Sequence, residues 1–216
     1  MPLPPKGPEV PPRELSSPMT RTSTNRSLSA RCLLLGLCGM ILFCRLGHAA
    51  ELPAAKQAIF LARVIAYDAN LKARAGPSVN IAILAKKGDA ESEKAADAVL
   101  KAFAPLEAAT VLGLPVKVSR LSFVGRDALD RAMRESGIDT LYVCGGLDAY
   151  LADIESVARA RKALTMASRE AHLKHGLSLG VFSVDGRNTI MVNLEASREE
   201  GVAFSPELLS LATVVR

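Results

Sequence analysis

Two hydrophobic periods run along this chain. Over residues 53–75, PAAKQAIFLARVIAYDANLKARA, Phe60, Val64, Tyr67 and Leu71 recur at helical spacing, with Leu61, Ile65 and Ala69 in a neighbouring row. Lys56, Arg63 and Asn70 fall together on the other side. The pattern predicts one long helix with a wide apolar face suited to burial, stopped by Gly76-Pro77.

Short apolar runs then alternate with amphipathic ones. VNIAIL (Val79–Leu84), VKVSRL (Val116–Leu121), DTLYVCGG and ALTMAS (Ala163–Ser168) have the length of buried strands. The segments between them read as helices, one capped by Asp89 and one closed by Gly137. Strands that alternate with helices require crossover connections and a parallel sheet.

The pattern changes after Gly176. LSLGVFSV and NTIMVNL flank Asp185-Gly186-Arg187, and a D-G turn between such runs predicts an antiparallel hairpin. FSPELLSLA ends the pattern with Ser205 as N-cap and Pro206 at the first helical position. The predicted fold is a single Rossmann-like three-layer α/β domain with a mostly parallel sheet and a C-terminal antiparallel β-hairpin.

Composition separates this domain from what precedes it. Residues 1–30 are rich in Pro, Ser and Arg and cannot pack a core. Residues 31–50 carry the apolar run CLLLGLCGMILFCRLG (Cys32–Gly47) and then small residues. A basic region, a short apolar region and a small-residue end describe a signal peptide, with cleavage expected after Ala49 or Ala50 and translation starting at Met1 or Met19. The run is shorter than the roughly 20 residues that span a bilayer. An uncleaved anchor through residues 32–47 is the alternative. The expected domain therefore occupies residues 51–216, in a periplasmic or secreted protein.

Charge and cysteine usage narrow the function. The leader holds six of the 27 basic residues but only Glu9 and Glu14 of the 22 acidic ones, which leaves the domain close to neutral. No basic stripe stands out, so no nucleic-acid partner is expected. Cys32, Cys38 and Cys44 belong to the leader, and Cys144 alone cannot form an internal disulfide. Within LYVCGG, Cys144 reads as a small buried hydrophobe.

Catalytic constellations are incomplete. Gly176-Leu177-Ser178-Leu179-Gly180 matches G-x-S-x-G, the hydrolase alternative. A nucleophile elbow, however, lies between strand and helix with its histidine later in the chain, and His48, His172 and His175 all precede Ser178. His172 and His175 lie three apart but lack a third zinc ligand, and read as exposed residues on a helical turn. No cofactor or metal motif is present, so no enzyme activity is expected. Asp185, Arg187 and Asn193 read as hairpin residues, since a strand's length separates Asp185 from Asn193. Gly145-Gly146 end the third strand, where ligands bind in open α/β sheets. With the loops at Lys86–Asp89, Ser122–Arg126 and Ser168–Arg169 they form the candidate ligand cleft.

The last third of the chain resembles the YfiR-like family of small secreted bacterial proteins, a domain of unknown function. The signature is a Leu164-Thr165 strand, Gly176, the hairpin Asp185-Gly186-Arg187, Asn193-Leu194, Arg198 and Gly201. It closes with Ser205, Leu208, Leu209, Leu211 and Ala212. The resemblance implies a non-enzymatic periplasmic regulator that acts through protein–protein interaction. The family's best-known member restrains a membrane diguanylate cyclase by binding its periplasmic domain. The expected partner is therefore the periplasmic domain of an inner-membrane sensor or cyclase, with a homodimer as a further assembly. The alternative is a periplasmic small-ligand-binding domain that serves a sensor or transporter.

Overall fold

The computed structural model describes residues 52–215. The leader, its apolar run and both cleavage positions lie outside the described residues. Among the described residues no helix is long and apolar enough to cross a membrane.

The element order is α1 (Ala54–Ile65), α2 (Leu71–Ala75), β1 (Val79–Lys86), α3 (Ala90–Phe103), β2 (Thr110–Val111), β3 (Leu114–Phe123), α4 (Arg126–Ser136) and β4 (Thr140–Val143). It continues with α5 (Leu151–Arg161), β5 (Leu164–Ala167), α6 (Glu170–Lys174), β6 (Leu179–Val184), β7 (Arg187–Asn193), α7 (Leu194–Glu199), α8 (Pro206–Leu211) and β8 (Thr213–Val215). The sheet order is β2-β3-β1-β4-β5-β6-β7-β8. Its centre, β3-β1-β4-β5-β6, is parallel, and β2 and β7 run antiparallel to their neighbours β3 and β6.

Strand side chains alternate between two cores. Ile81, Ile83, Tyr142 and Met166 pack with Leu61 and Ile65 of α1 and Val99 and Phe103 of α3. Ala82, Leu84, Leu141 and Val143 pack with Leu129 and Met133 of α4 and Ile154 and Val157 of α5. Helices on both faces of a mostly parallel sheet make the three-layer α/β domain that the alternating pattern predicts. The hairpin is tight: Val184 pairs with Arg187, so only Asp185 and Gly186 form the loop. Both have positive φ, 49° and 74°, as a type I′ turn demands. Arg187 thus belongs to β7 rather than to the turn.

The long N-terminal helix expected over 53–75 is two helices. Asp68 breaks it. Its carboxylate is fully buried and accepts hydrogen bonds from the Asn70 N–H at 2.9 Å and the Ala203 N–H at 2.9 Å. A side-chain acceptor for nearby backbone N–H groups competes directly with helix continuation. Arg74, turned back from α2, donates to Asp68 Oδ2 from Nη2 at 2.7 Å and from Nε at 3.2 Å. Its Nη1 reaches the carbonyls of Asp139 and Lys162 at 3.0 and 2.8 Å. One guanidinium therefore ties the first helices to the amino end of β4 and the carboxyl end of α5.

A second polar knot joins the amino ends of β5 and β6. Glu200, fully buried just after α7, accepts from the Thr165 N–H and Oγ1 at 2.9 and 2.6 Å and from Ser178 Oγ at 2.5 Å. Thr165 Oγ1 in turn accepts from the Ser178 N–H at 2.9 Å. Burial pushes the Glu200 carboxyl up to about 7, against the pull of the Ser178 and Thr165 hydrogen bonds and of Arg74. Asp139, largely buried and accepting from the Asn80 N–H, is likewise pushed up to about 6 by burial.

Two outcomes follow from these knots. Replacing Asp68 by Ala strands a buried guanidinium and releases the Asn70 and Ala203 amides, a loss of about 3–5 kcal/mol. Urea denaturation measures it, and a loss below about 1 kcal/mol would contradict the assigned role. For Glu200 the sign runs the other way from a salt-bridged carboxylate. Its folded pKa lies above its ordinary 4.5, so the cost of burying its charge is fully present above pH 7 and is relieved as pH falls through that window. On acidification from pH 7.5 to 5.5 the native protein gains stability relative to Glu200→Gln. Identical pH slopes of the two urea midpoints would refute the assignment.

Candidate ligand cavity

The strand order reverses at β1. The chain goes from β1 outward to β3, then returns to β4 on the other side. Connections diverge at such a point and leave a crevice beyond the carboxyl ends of the strands. A cavity of about 640 Å³ opens there. Asp89 and Ser92 line it after β1, Gly145 and Gly146 after β4, and Ser168 and Arg169 after β5. Leu52, Pro53 and Gln57 at the start of α1 and Ala95, Ala98 and Val99 of α3 supply further wall.

Each wall follows from local sequence. Asp89 caps α3, accepting from the Ser92 N–H at 3.1 Å, while Ser92 Oγ accepts from the Lys86 N–H at 2.9 Å. The loop between β1 and α3 is thereby fixed. Gly146 has φ +82°, a left-handed conformation that glycine adopts without strain. A Cβ there would stand 3.1 Å from Asp89 Oδ2, and one on Gly145 would stand 3.7 Å from Arg169 Cδ. The glycine pair is thus a floor without side chains, with an anion at one end and a cation at the other. Deeper in, the Tyr142 hydroxyl meets Gln57 Oε1 at 2.5 Å, fastening α1 to β4.

Arg169 spans the gap to Asp148, with Nη1 3.1 Å from both carboxylate oxygens. Burial raises the Asp148 carboxyl, but the charges of Arg169 and His172 outweigh it and hold the group below its usual range. Ser168 Oγ is buried and has no hydrogen-bond partner among the described residues.

The β3–α4 loop does not join this cavity. Phe123, Val124 and Gly125 line a separate pocket of about 210 Å³ with Lys86, Lys87 and Tyr150. The four loops grouped as one cleft in the sequence therefore serve two pockets, because β1 and its following loop stand between them.

Other residues singled out in the sequence have structural places. Cys144 is buried, and burial pushes its thiol up to about 12 despite nearby Arg120, so it is protonated at neutral pH. Ser178 lies inside the Glu200 knot, at the entry to β6 and without access to solvent. His172 corrects the expectation of two exposed histidines: it is fully buried, with Nε2 3.3 Å from Asp148 Oδ1. Burial holds its pKa below the usual histidine value against the opposing charge of Asp148. It is drawn in because α6 is a single short turn that packs between β5, β6 and β7.

The signature residues are dispersed through the fold rather than gathered at the cavity. Leu164 lies in one core and Thr165 in the Glu200 knot. Gly176 lets the Glu155 carboxylate approach to within 2.6 Å of where a Cβ would stand. Asp185 and Gly186 form the hairpin loop, next to Arg187. Asn193 is the N-cap of α7, accepting from the Ala196 N–H at 3.0 Å while its Nδ2 donates to the Leu173 carbonyl. Gly201 takes φ +78° beyond α7. Leu208, Leu209 and Ala212 pack against the core on the α1 side.

The loops singled out in the sequence brought Asp89 and Arg169 to the glycine floor, and what sequence reasoning missed is Glu91, in the first turn of α3, which also lines the cavity.

Comparison with known proteins places these features. No curated protein matches the chain in sequence. Among solved structures it is similar to the ABC domain in complex with L-Trp from Streptococcus pneumonia, at 14% identity and a TM-score of 0.50. It is also similar to a conserved domain protein from Vibrio cholerae O1 biovar El Tor, at 10% identity and a TM-score of 0.54. Each match covers 76% of this chain and 60% of the other, so the chain spans about three fifths of their length and shares their fold. The YfiR/HmsC-like family model matches residues 54–213, from the first residue of α1 to the first of β8. The chain therefore belongs to the YfiR/HmsC-like family, which supports a periplasmic regulatory domain.

Proposed function

We propose that this chain is a non-enzymatic periplasmic regulator that binds the periplasmic domain of an inner-membrane sensor or cyclase and, through it, sets cyclic di-GMP signalling. The observation that carries this reading is the family match over nearly all of the described domain. In this reading residues 1–50 are the leader removed on export, and residues 51–216 are the acting domain.

Regulation of this kind is differential binding. A protein that binds one state of a sensor about 100-fold tighter than the other shifts that equilibrium by about 2.7 kcal/mol, with no chemical step of its own. The buried Ser178 and the protonated Cys144 support a role without a nucleophile.

A second reading adds to the first: the cavity beyond β1 and β4 binds a small ligand. Its support is the coincidence of strand-order reversal, side-chain-free floor and volume at one place. A ligand there contacts the start of α1, so occupancy alters the surface that α1 presents.

Affinity capture from solubilised envelopes with the tagged full-length protein tests the principal reading. The expected outcome is enrichment of one inner-membrane signalling protein, lost in competition with untagged protein. Enrichment of no membrane protein would overturn it.

A further inference from the structure

We propose that the outer face of α1 docks on the surface of an anionic phospholipid bilayer. The proposal goes beyond the regulatory reading above and makes no use of the cavity. Three observations converge on it.

The first is the face itself. Gln57, Leu61, Val64 and Ile65 turn into the domain and are buried. Lys56, Ile59, Arg63 and Tyr67 recur three and four residues apart on the opposite side, and all are exposed. Ile59, 55% exposed, stands between the two cations, and Tyr67 closes the row just beyond the helix end. Between Leu52 and Ala75 the only acid is Asp68, buried against Arg74. The face therefore carries positive charge with no anion of its own. Acids on the neighbouring elements are engaged elsewhere. Glu91 lines the cavity, Glu93 accepts from the Gly88 N–H, Asp97 pairs with Arg120, and Glu207 is bonded to Ser205 at the start of α8.

The second is the surroundings of this face. Of the seven large hydrophobic residues exposed among the described residues, four lie on the α1 side of the sheet: Ile59, Tyr67, Leu211 and Val214. Helix α8 packs on that side through Leu208 and Leu209, and the Ser205 N–H at its start donates to the Tyr67 carbonyl at 3.0 Å. Leu211 ends this helix. Val215 packs into the opposite core, so its neighbour Val214 points to the α1 side. Apolar groups set among cations suit a headgroup layer. Lys and Arg pair with lipid phosphates there while Ile, Leu and Tyr enter the acyl boundary.

The third is the chain that leads into α1. The apolar run ends at Gly47 and α1 begins at Ala54. Residues 48–53 between them reach at most about 20 Å. While the run occupies the bilayer, as a leader during export or as a retained anchor, α1 is the first element of the domain at the lipid surface. That position favours lipid over an acidic protein as the occupant. Cleavage frees the chain and leaves the same face exposed. Docked in this way, the domain meets a membrane-bound partner on the surface where that partner sits.

Vesicle co-sedimentation of the processed, exported protein tests the proposal, since this form lacks the apolar run that would itself enter lipid. The vesicles are phosphatidylcholine alone and phosphatidylcholine with about one third phosphatidylglycerol. Binding to the anionic vesicles is expected to exceed binding to the neutral ones at least about tenfold, and to fall away in about 0.5 M salt. Lys56→Gln with Arg63→Gln should weaken binding to the anionic vesicles about tenfold, and Ile59→Ser about threefold. Arg131→Gln with Arg134→Gln removes the same charge from the exposed side of α4, on the opposite layer, and should leave binding unchanged. Arg134 stands in the last turn of α4 as Arg63 does in that of α1, so the two pairs alter their helix ends alike. All five side chains are exposed, and unchanged melting temperatures verify that the variants fold.

Equal binding to the two lipids, or equal losses from the α1 and α4 pairs, would overturn the proposal. So would binding to native inner-membrane vesicles through Lys56 and Arg63 with none to protein-free lipid, which would make a protein the occupant of the face.

Discussion

The fold depends on one buried ion pair. Arg74 and Asp68 meet at 2.7 Å, with the Asp68 side chain fully buried and the Arg74 side chain nearly so. Removing two charges from water is costly, and Coulomb attraction offsets that cost only when the remaining donors and acceptors are also satisfied. Here they are. Asp68 collects two backbone amides, and Arg74 collects two backbone carbonyls. Those four groups belong to four different stretches of chain, near residues 70, 139, 162 and 203. The pair is therefore less a local bond than the point that sets α2, β4, the end of α5 and the C-terminal segment in register. It also explains why the N-terminal apolar stripe bends where its periodicity would carry on.

The two ends of the sheet have divided tasks. At the amino ends of the strands, polar groups are bonded to one another: Asp68 with Arg74, Asp139 with Asn80, Glu200 with Thr165 and Ser178. At the carboxyl ends near the order reversal, the chain places glycines, a serine without a partner and an arginine with donors to spare. The first arrangement resists change. The second leaves volume and unused hydrogen-bonding capacity, which is what recognition requires. Residues of the family signature fall mostly on the first side or in the hairpin, so the signature reports the scaffold more than the cavity.

Local rules made most of the architecture legible in the sequence. Strands buried on both faces show as unbroken apolar runs, and the Asp185-Gly186 turn fixed the antiparallel hairpin through its demand for positive φ. Asp89 and Ser205 marked helix starts that the structure uses. Failures occurred where a distant partner overrode the local pattern. Nothing near Asp68 in sequence shows that Ala203 will approach it. The brief β2 and β8 pairings depend on neighbours rather than on their own residues. Helix α7 was obscured because Asn193, its cap, also ends a strand. Gly145-Gly146 could be placed from strand position alone. The same rule placed Asp89 and Arg169 beside them, whereas Glu91, within α3, and the exclusion of the β3–α4 loop emerge only from the structure.

That topology also links the cavity to the rest of the molecule. Gln57, on α1, lines the cavity and is held to Tyr142 of β4 by a 2.5 Å hydrogen bond, while Leu61, Val64 and Ile65 of the same helix lie in the core. Helix α1 is thus a lever with one end in the cavity wall and the other beside the Asp68 break. Along its outer side it exposes Ile59, and Tyr67 is exposed just beyond its end. A ligand that displaces the Gln57–Tyr142 contact acts on the helix that carries these exposed apolar groups. Under the proposed regulatory reading, an element shared between the cavity wall and an outer surface couples a ligand bound at the one to a partner bound at the other.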